Sequence, residues 1–455
     1  MSYTAVNPYN GQKIRDFDNI TDQQLSIVLD KAQAFYDKSQ KQDIQERTKL
    51  LNKLADEFEK NTEKYARILS TNMGKLLTEA GQEVAKTSSF ARYYAKNGVK
   101  FMQPKPYNDL PNGQAQVEFS GTGIVLAVEP WNFPYTQVMR MFAPNFILGN
   151  PVILKHASIV PETALAFQEA CENAGMPEGA FTNIFADYDQ INHIIADPRV
   201  QGVALTGSEN AGRKIASVAG QNLKKSTMEL GGTDIFVVLD DVDVPVAAKD
   251  ATKARLTNAG QVCTAAKRYI VSAKIYPEFL KALKEEFAKY QLGDPLNEKT
   301  TLAPLSSKSA QQQLQDQVDK VIAGGAEILY GDPTPVPGEG AGFSPLILTG
   351  MSDDNPMYEE ELFGPVAQIY QAQTDDEIVK IANNSRHGLG GAIYTKDIAR
   401  GRKIASQIET GQVTINSILS SQAEVPFGGV KDSGYGRELS DWGIYEFANI
   451  KPVMY

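Results

Sequence analysis

Three residues in this chain could do covalent chemistry together. Cys263, one of two cysteines in 455 residues, ends the run Asn258-Ala259-Gly260-Gln261-Val262-Cys263 and is followed by Thr264-Ala265-Ala266-Lys267-Arg268. Glu229 precedes Leu230-Gly231-Gly232, and Asn132 lies within Pro130-Trp131-Asn132-Phe133-Pro134. A thiol can attack an electrophilic carbon, a carboxylate set beside apolar residues and glycines can accept a proton, and a side-chain amide can hold an oxyanion. These are the functions needed to oxidise an aldehyde through a thioester.

Each residue also has a plainer reading. A free cysteine is usually a small buried hydrophobe, and Cys171, on a helix expected over Pro161 to Ala174, fits that role. Cys263 follows Gly260-Gln261, where a backbone can turn closely, and a reactive thiol there needs a helix N-terminus or a cation nearby. Glu229 could simply be a hydrogen-bonded strand end. His156, His193 and His387 leave a Cys–His pair formally open, but none lies in a protease-like signature. No metal is expected.

The elements that must position these residues alternate along the chain. Thr21-Asp22-Gln23-Gln24 matches a capping box, and Leu25, Val28, Leu29, Ala32, Phe35 and Tyr36 follow at helical spacing. The first hundred residues read as helices, one stopping near Gly74 and another near Asn97-Gly98 as a C-cap. Pro111-Asn112-Gly113 is a turn signal, and Gln114 to Phe119 alternates like an exposed hairpin strand. Short apolar runs at Ile124–Val128, Val152–Leu154, Thr182–Ala186 and Val200–Leu205 alternate with helical patterns, which gives an α/β fold with a parallel sheet. Ile235 to Leu239 opens a second α/β segment, continued at Tyr269–Ser272 and Glu327–Tyr330.

Two features suit a dinucleotide. Thr206-Gly207-Ser208 follows an apolar strand and precedes a helix, presenting backbone N–H groups and a helix N-terminus to phosphate. It is not the Gly-x-Gly-x-x-Gly fingerprint, and alone it equally describes a plain strand–turn–helix junction. Lys155 follows Val152-Ile153-Leu154 at the carboxyl end of a predicted strand, the edge where open α/β sheets bind ligands.

Length calls for two or three domains sharing an interface. The net charge of −10 and pI near 5.1 argue against a nucleic-acid surface. No apolar run approaches the roughly 20 residues that span a bilayer, and the start of the chain carries no signal-peptide pattern. Two cysteines cannot build a disulfide framework, so a reducing compartment, the cytoplasm, is expected.

Six segments in order, Pro130–Pro134, Thr206–Ser208, Glu229–Gly232, Gly260–Cys263, Glu361-Leu362-Phe363-Gly364-Pro365 and Pro426-Phe427-Gly428-Gly429, resemble the aldehyde dehydrogenase superfamily across essentially the whole chain. Gln137–Arg140, Leu154–Ala157 and Gly429–Ser440 look most like the shorter bacterial succinate-semialdehyde dehydrogenases. The resemblance implies a Rossmann-type cofactor domain over 1–110 and 125–231, a catalytic domain over 232–439, and a small β oligomerisation unit over 111–124 and 440–455, forming a homodimer or homotetramer. It implies that Cys263 attacks the aldehyde, that the Asn132 amide and Cys263 N–H hold the oxyanion, that hydride passes to nicotinamide, and that Glu229 activates the water that hydrolyses the thioester.

The same resemblance implies that Trp131, Lys155, His156, Ala157, Ser158, Gly207, Ser208, Leu230, Glu361 and Phe363 line the cofactor, with Glu361 on the nicotinamide ribose and Phe363 near the ring. Relatives restricted to NAD often carry a glutamate where this chain has Ser158, whose lack of charge spares a 2′-phosphate repulsion; this favours NADP, with NAD also usable. Arg140 is implied to bind the far carboxylate of the substrate, helped by Ser421. Thr257 stands where longer members carry a second arginine, and Arg255, two residues away, points roughly 200° elsewhere on a helix; a broader aldehyde range is the alternative. Ala265 stands where several relatives have a second cysteine, so no disulfide switch is expected. Transfer to CoA instead of water is disfavoured by Glu229, and a dinucleotide-binding protein without turnover is disfavoured by the intact trio.

Overall fold

The computed structural model describes residues 3–111 and 113–455; Asn112, in the middle of the expected turn, lies outside the described residues. Helix Asp22–Ser39 starts at the expected capping box, with Thr21 accepting from Gln24 N and the Gln24 side chain accepting from Thr21 N. Its stripe of Leu25, Leu29, Ala32 and Phe35 is buried. Helices Ile44–Lys60 and Thr62–Met73 follow, the latter closed by left-handed Gly74 at φ 82°.

The next helix runs from Leu77 to Phe101, past the stop expected at Asn97-Gly98. Gly98 serves close packing and not capping, since a Cβ there would lie 2.8 Å from the Ile147 side chain on helix Pro134–Leu148. A second correction concerns the chain start, read as helical throughout. Tyr3–Val6 pairs antiparallel with Lys13–Phe17, a strand almost wholly exposed and so without a buried period to read.

Two sheets carry the site. The first has six strands, in the order Gly434–Tyr435, Lys225–Glu229, Val200–Thr206, Ile124–Glu129, Val152–His156 and Phe181–Asn183. All pairings are parallel except at the edge, where Gly434–Tyr435 meets Glu229 and Met228 antiparallel. A late segment, placed by the sequence reading in the second unit, thus returns to the first sheet beside Glu229. The second sheet has seven strands, running through Val366–Ala372, Arg268–Ser272, Ile235–Val238 and Gly390–Tyr394 at its centre. Separate buried clusters back the two sheets, one including Phe142, Phe146 and Phe167 and another including Phe236, Tyr269 and Phe279.

A third, antiparallel sheet has Gly113–Gly121 between Lys105–Leu110 and Ala448–Met454. The hairpin therefore begins before residue 111, with a strand whose residues are all exposed and give no alternation to read. Of the terminal segment expected as strand from 440, Ser440–Tyr445 is helix. No described helix is long and apolar enough to cross a membrane.

Candidate active site

The loop leading to Cys263 has an unusual backbone. After helix Val244–Leu256, three successive residues, Asn258, Ala259 and Gly260, adopt left-handed φ of 51°, 52° and 76°. Each non-glycine residue held there costs about 1–3 kcal/mol, so the surroundings must over-determine it. They do: the Glu79 carboxylate accepts from Asn258 N at 3.0 Å, and Gln261 Nε2 donates to Asn258 O at 3.0 Å. Arg255, fully buried, donates from Nη1 to Ala266 O at 2.9 Å and from Nη2 to Gly260 O at 2.5 Å. Arg255 thus clamps the loop and points away from ligand space, as its helical offset predicts. Gly260 is obligatory, because a Cβ would lie 2.2 Å from Gly364 O.

Lys267 lies against the backbone of Cys263. Its ammonium donates to Val262 O at 2.9 Å and to Cys263 O, and pairs with Glu361 at 2.9 Å. Burial pushes the Cys263 thiol up to about 12, against the pull of Lys267 and Arg140, so the resting sulfur is a neutral thiol.

Asn132 sits between strand Ile124–Glu129 and helix Pro134–Leu148. Its Nδ2 donates to Gln261 O at 3.1 Å and its Oδ1 accepts from Gln137 Nε2 at 3.2 Å. Its carbonyl accepts from Lys75 Nζ at 2.8 Å and Asn258 Nδ2 at 3.2 Å. Lys75 and Glu83 form a buried ion pair, and Glu83 also accepts from Tyr135 N at 3.0 Å and Thr136 N at 3.3 Å, where a helix N-terminus favours negative charge. Sequence reading missed Lys75, Glu83 and Lys267, since their meaning depends on partners distant in the chain or on backbone carbonyls that carry no residue-type signal.

Glu229 ends strand Lys225–Glu229, buried, and neither carboxylate oxygen has a hydrogen-bond partner among the described residues. A strand end held by hydrogen bonds would have them. Burial first, then the charge of Glu438, raise its pKa well above the usual carboxylate range, with Arg140 and Arg437 opposing.

Two cavities meet at Cys263. One, of about 380 Å³, is walled by Lys86, Arg140, Thr257, Ser420, Ser421 and Phe427 among others. Arg140 is buried, stacks its guanidinium 4.2 Å from the Phe427 ring centroid and pairs with Glu438, while its Nε has no hydrogen-bond partner among the described residues. The second cavity, of about 290 Å³, is lined by Trp131, Asn132, Gly207, Ser208, Glu229, Leu230, Glu361 and Phe363. Trp131 and Phe363 meet edge to face, with centroids 5.8 Å apart. Ser208 caps helix Glu209–Gln221 by accepting from Ala211 N at 3.4 Å, and Gly207 N donates to Glu229 O at 2.9 Å. A Cβ at Gly231 would lie 2.6 Å from Glu361 Oε2.

Lys155, His156, Ala157 and Ser158 lie at the end of strand Val152–His156 and do not line either of these cavities. Burial pulls Lys155 down to about 8, and its ammonium sits 5.8 Å from the Tyr3 ring centroid. Thr4 N donates to Ser158 O at 3.2 Å, bringing the N-terminal strand to the same corner. The expectation for His156 needs correcting at the side chain. Its ring is buried, with Nε2 3.1 Å from Pro134 O and Nδ1 accepting from Ala157 N at 2.9 Å. Burial lowers it to about 4, and the neutral imidazole is committed inward, leaving only backbone for a ligand.

A thiol between two cavities, with an amide and a carboxylate unpartnered among the described residues lining one of them, suits chemistry that passes through an acyl-enzyme. The chain belongs to the aldehyde dehydrogenase family, which it matches over residues 1–453. It is 42% identical over 451 residues to a succinate-semialdehyde dehydrogenase [NADP(+)] of Deinococcus radiodurans, covering 99% of this chain and 94% of that protein. It is 38% identical to an aldehyde dehydrogenase of Paenarthrobacter nicotinovorans, covering 100% and 99%. Among solved structures, succinic semialdehyde dehydrogenase from Streptococcus pyogenes in complex with NADP+ superposes with a TM-score of 0.98 at 45% identity, covering 100% of this chain and 99% of that one.

Proposed function

We propose that this enzyme oxidises succinic semialdehyde to succinate with NADP. The observation that carries the reading is the position of Cys263, the shared wall of a cavity holding Arg140 and Ser421 and a cavity holding Trp131, Glu361 and Phe363. Relatives named for this substrate and cofactor support the choice within the family.

The chain's residues fit a nicotinamide dinucleotide phosphate. The N-terminus of helix Glu209–Gln221 at Ser208 faces the cleft and suits a pyrophosphate. Glu361 presents a carboxylate to a ribose, and Lys155 beside uncharged Ser158 suits a 2′-phosphate. When bound, the nicotinamide supplies the hydride acceptor.

In this reading the Cys263 thiol first loses its proton to solvent, the thiolate adds to the aldehyde carbon, and the oxyanion takes hydrogen bonds from the Asn132 amide and the Cys263 N–H. The Lys75 and Asn258 bonds to Asn132 O, with Gln137 on its side chain, keep that amide aimed. Loss of hydride leaves an acyl thioester on Cys263. Glu229 then takes a proton from water as it attacks the thioester carbon, and succinate leaves as the thiol is restored. Arg140 and Ser421 hold the far carboxylate.

Arg140→Ala tests the substrate. With succinic semialdehyde, kcat/KM should fall about 10- to 100-fold, the loss of a charge-assisted hydrogen bond, and fall much less with butanal. Arg140→Lys and a thermal melt accompany it, because Glu438 loses its buried partner. Equal losses for both aldehydes would refute the assignment. Ser158→Glu tests the cofactor: the ratio of NADP to NAD efficiency should drop at least about tenfold through repulsion of the 2′-phosphate, and an unchanged ratio would place that phosphate elsewhere.

The exposed outer strands Lys105–Leu110 and Ala448–Met454 leave sheet edges open and support assembly with further copies of the chain, as a homodimer or homotetramer. A free thiol nucleophile suits a reducing compartment such as the cytoplasm.

A further inference from the structure

We infer that Lys86 is a specificity-determining residue, a second cation that binds the far carboxylate of the substrate alongside Arg140; this rests on the proposed substrate. Glu79, Gln82, Glu83 and Lys86 recur at helical spacing on Leu77–Phe101 and form one wall of the cavity that ends at Cys263. The cavity's cations are not equivalent. Lys75 is paired with Glu83, and Arg140 with Glu438. Lys253, at the end of helix Val244–Leu256, is exposed to solvent. Lys86 is half-buried and, among the described residues, forms no ion pair; its ammonium donates only to the Ser420 hydroxyl, at 3.2 Å.

The ammonium also lies 5.8 Å from the Phe90 ring centroid, and among the described residues no carboxylate balances its charge. Its hydroxyl partner belongs to the Ser420-Ser421 segment, which lines the same cavity. An aldehyde with a terminal carboxylate would supply the missing anion, and a neutral aldehyde would not. Arg140, already paired with Glu438, orients such a group, while Lys86, which has no carboxylate partner among the described residues, contributes the second positive charge.

The surroundings of Lys86 add a pH dependence. Burial, and next Arg140 from helix Pro134–Leu148, pull it down to about 8; Glu83 on its own helix and Cys263 from the nucleophile loop raise it, and Lys75 lowers it. Glu79 and Lys253 are the other charged residues of the cavity wall. Lys86 is therefore cationic below about pH 8 and loses its charge above it, so its grip on a carboxylate weakens as pH rises.

The parent, Lys86→Met and Lys86→Arg are assayed with NADP against succinic semialdehyde and butanal, on both sides of pH 8. In Lys86→Met the KM for succinic semialdehyde should rise about tenfold or more, with a several-fold smaller change in kcat and in the butanal constants. Lys86→Arg should keep most of the affinity. The ratio of the two KM values, which cancels titration of the shared chemistry, should climb in the parent through about pH 8 and stay flat in Lys86→Arg. An unchanged KM for succinic semialdehyde in Lys86→Met, an equal loss on both aldehydes, or a parent ratio indifferent to pH would each overturn the assignment. A parent that prefers succinic semialdehyde while Lys86→Met retains that preference removes Lys86 and keeps the substrate reading. A parent with no preference for succinic semialdehyde removes both.

Discussion

Cys263→Ala should abolish NADPH formation from succinic semialdehyde, by at least about four orders of magnitude, the scale on which removal of a covalent nucleophile acts. The loss should fall on kcat. The fold is expected to survive, since the left-handed turn at Asn258–Gly260 is held by Arg255, Glu79 and Gln261 and not by the sulfur. Dinucleotide binding, followed by quenching of Trp131 fluorescence, should persist for the same reason, because the cleft formed by Ser208, Leu230, Glu361 and Phe363 stays intact. Residual activity near that of the parent would mean that another group attacks the aldehyde, and the reading of the site would fail. In the parent, the thiol is pushed up to about 12 by burial. Its reactive fraction therefore grows with pH, and the acylation rate should rise from neutral toward alkaline conditions.

The second large effect belongs to Glu229. Glu229→Gln should keep a rapid burst of about one NADPH per active site and then turn over about 10²- to 10⁴-fold more slowly, because acylation needs the thiol while deacylation needs the base. Burial holds Glu229 protonated above the usual carboxylate range, so the base form accumulates as pH rises. Steady-state turnover of the parent should increase accordingly, and that limb should vanish in Glu229→Gln. Rapid mixing with NADPH absorbance separates the phases. Disappearance of the burst itself would move Glu229 to the step in which the thiol loses its proton. The geometry makes glutamine a conservative probe, since both carboxylate oxygens lack hydrogen-bond partners among the described residues and no existing bond is broken.

Much of this was legible along the chain. The capping box at Thr21, the parallel strands from Ile124 to Thr206 and the Thr206-Gly207-Ser208 turn into a helix are local patterns, each set by a few neighbouring residues. Gly98 shows the limit: a glycine near a helix end reads as a cap, but its cause is Ile147, almost fifty positions away in sequence. Lys105–Leu110 and Lys13–Phe17 gave no signal because an exposed strand has no buried face to impose a period.

The candidate site divides in the same way. Residue types at Cys263, Glu229 and Asn132 pointed to thioester chemistry, and the resemblance to the aldehyde dehydrogenases added Arg140 and Ser421. Their environments belong to the tertiary structure alone. Only folding buries Glu229 without a partner, turns His156 inward onto Pro134 O, and ties Arg140 to Glu438 and Lys267 to Glu361. Protonation and charge pairing depend on distances between groups far apart in sequence, from 22 residues for His156 and Pro134 to 298 for Arg140 and Glu438, and these distances do not exist until the chain folds. The sequence by itself determined which groups can react; the packing decided which are neutral, which are already paired, and that Lys86 is left with a charge to satisfy.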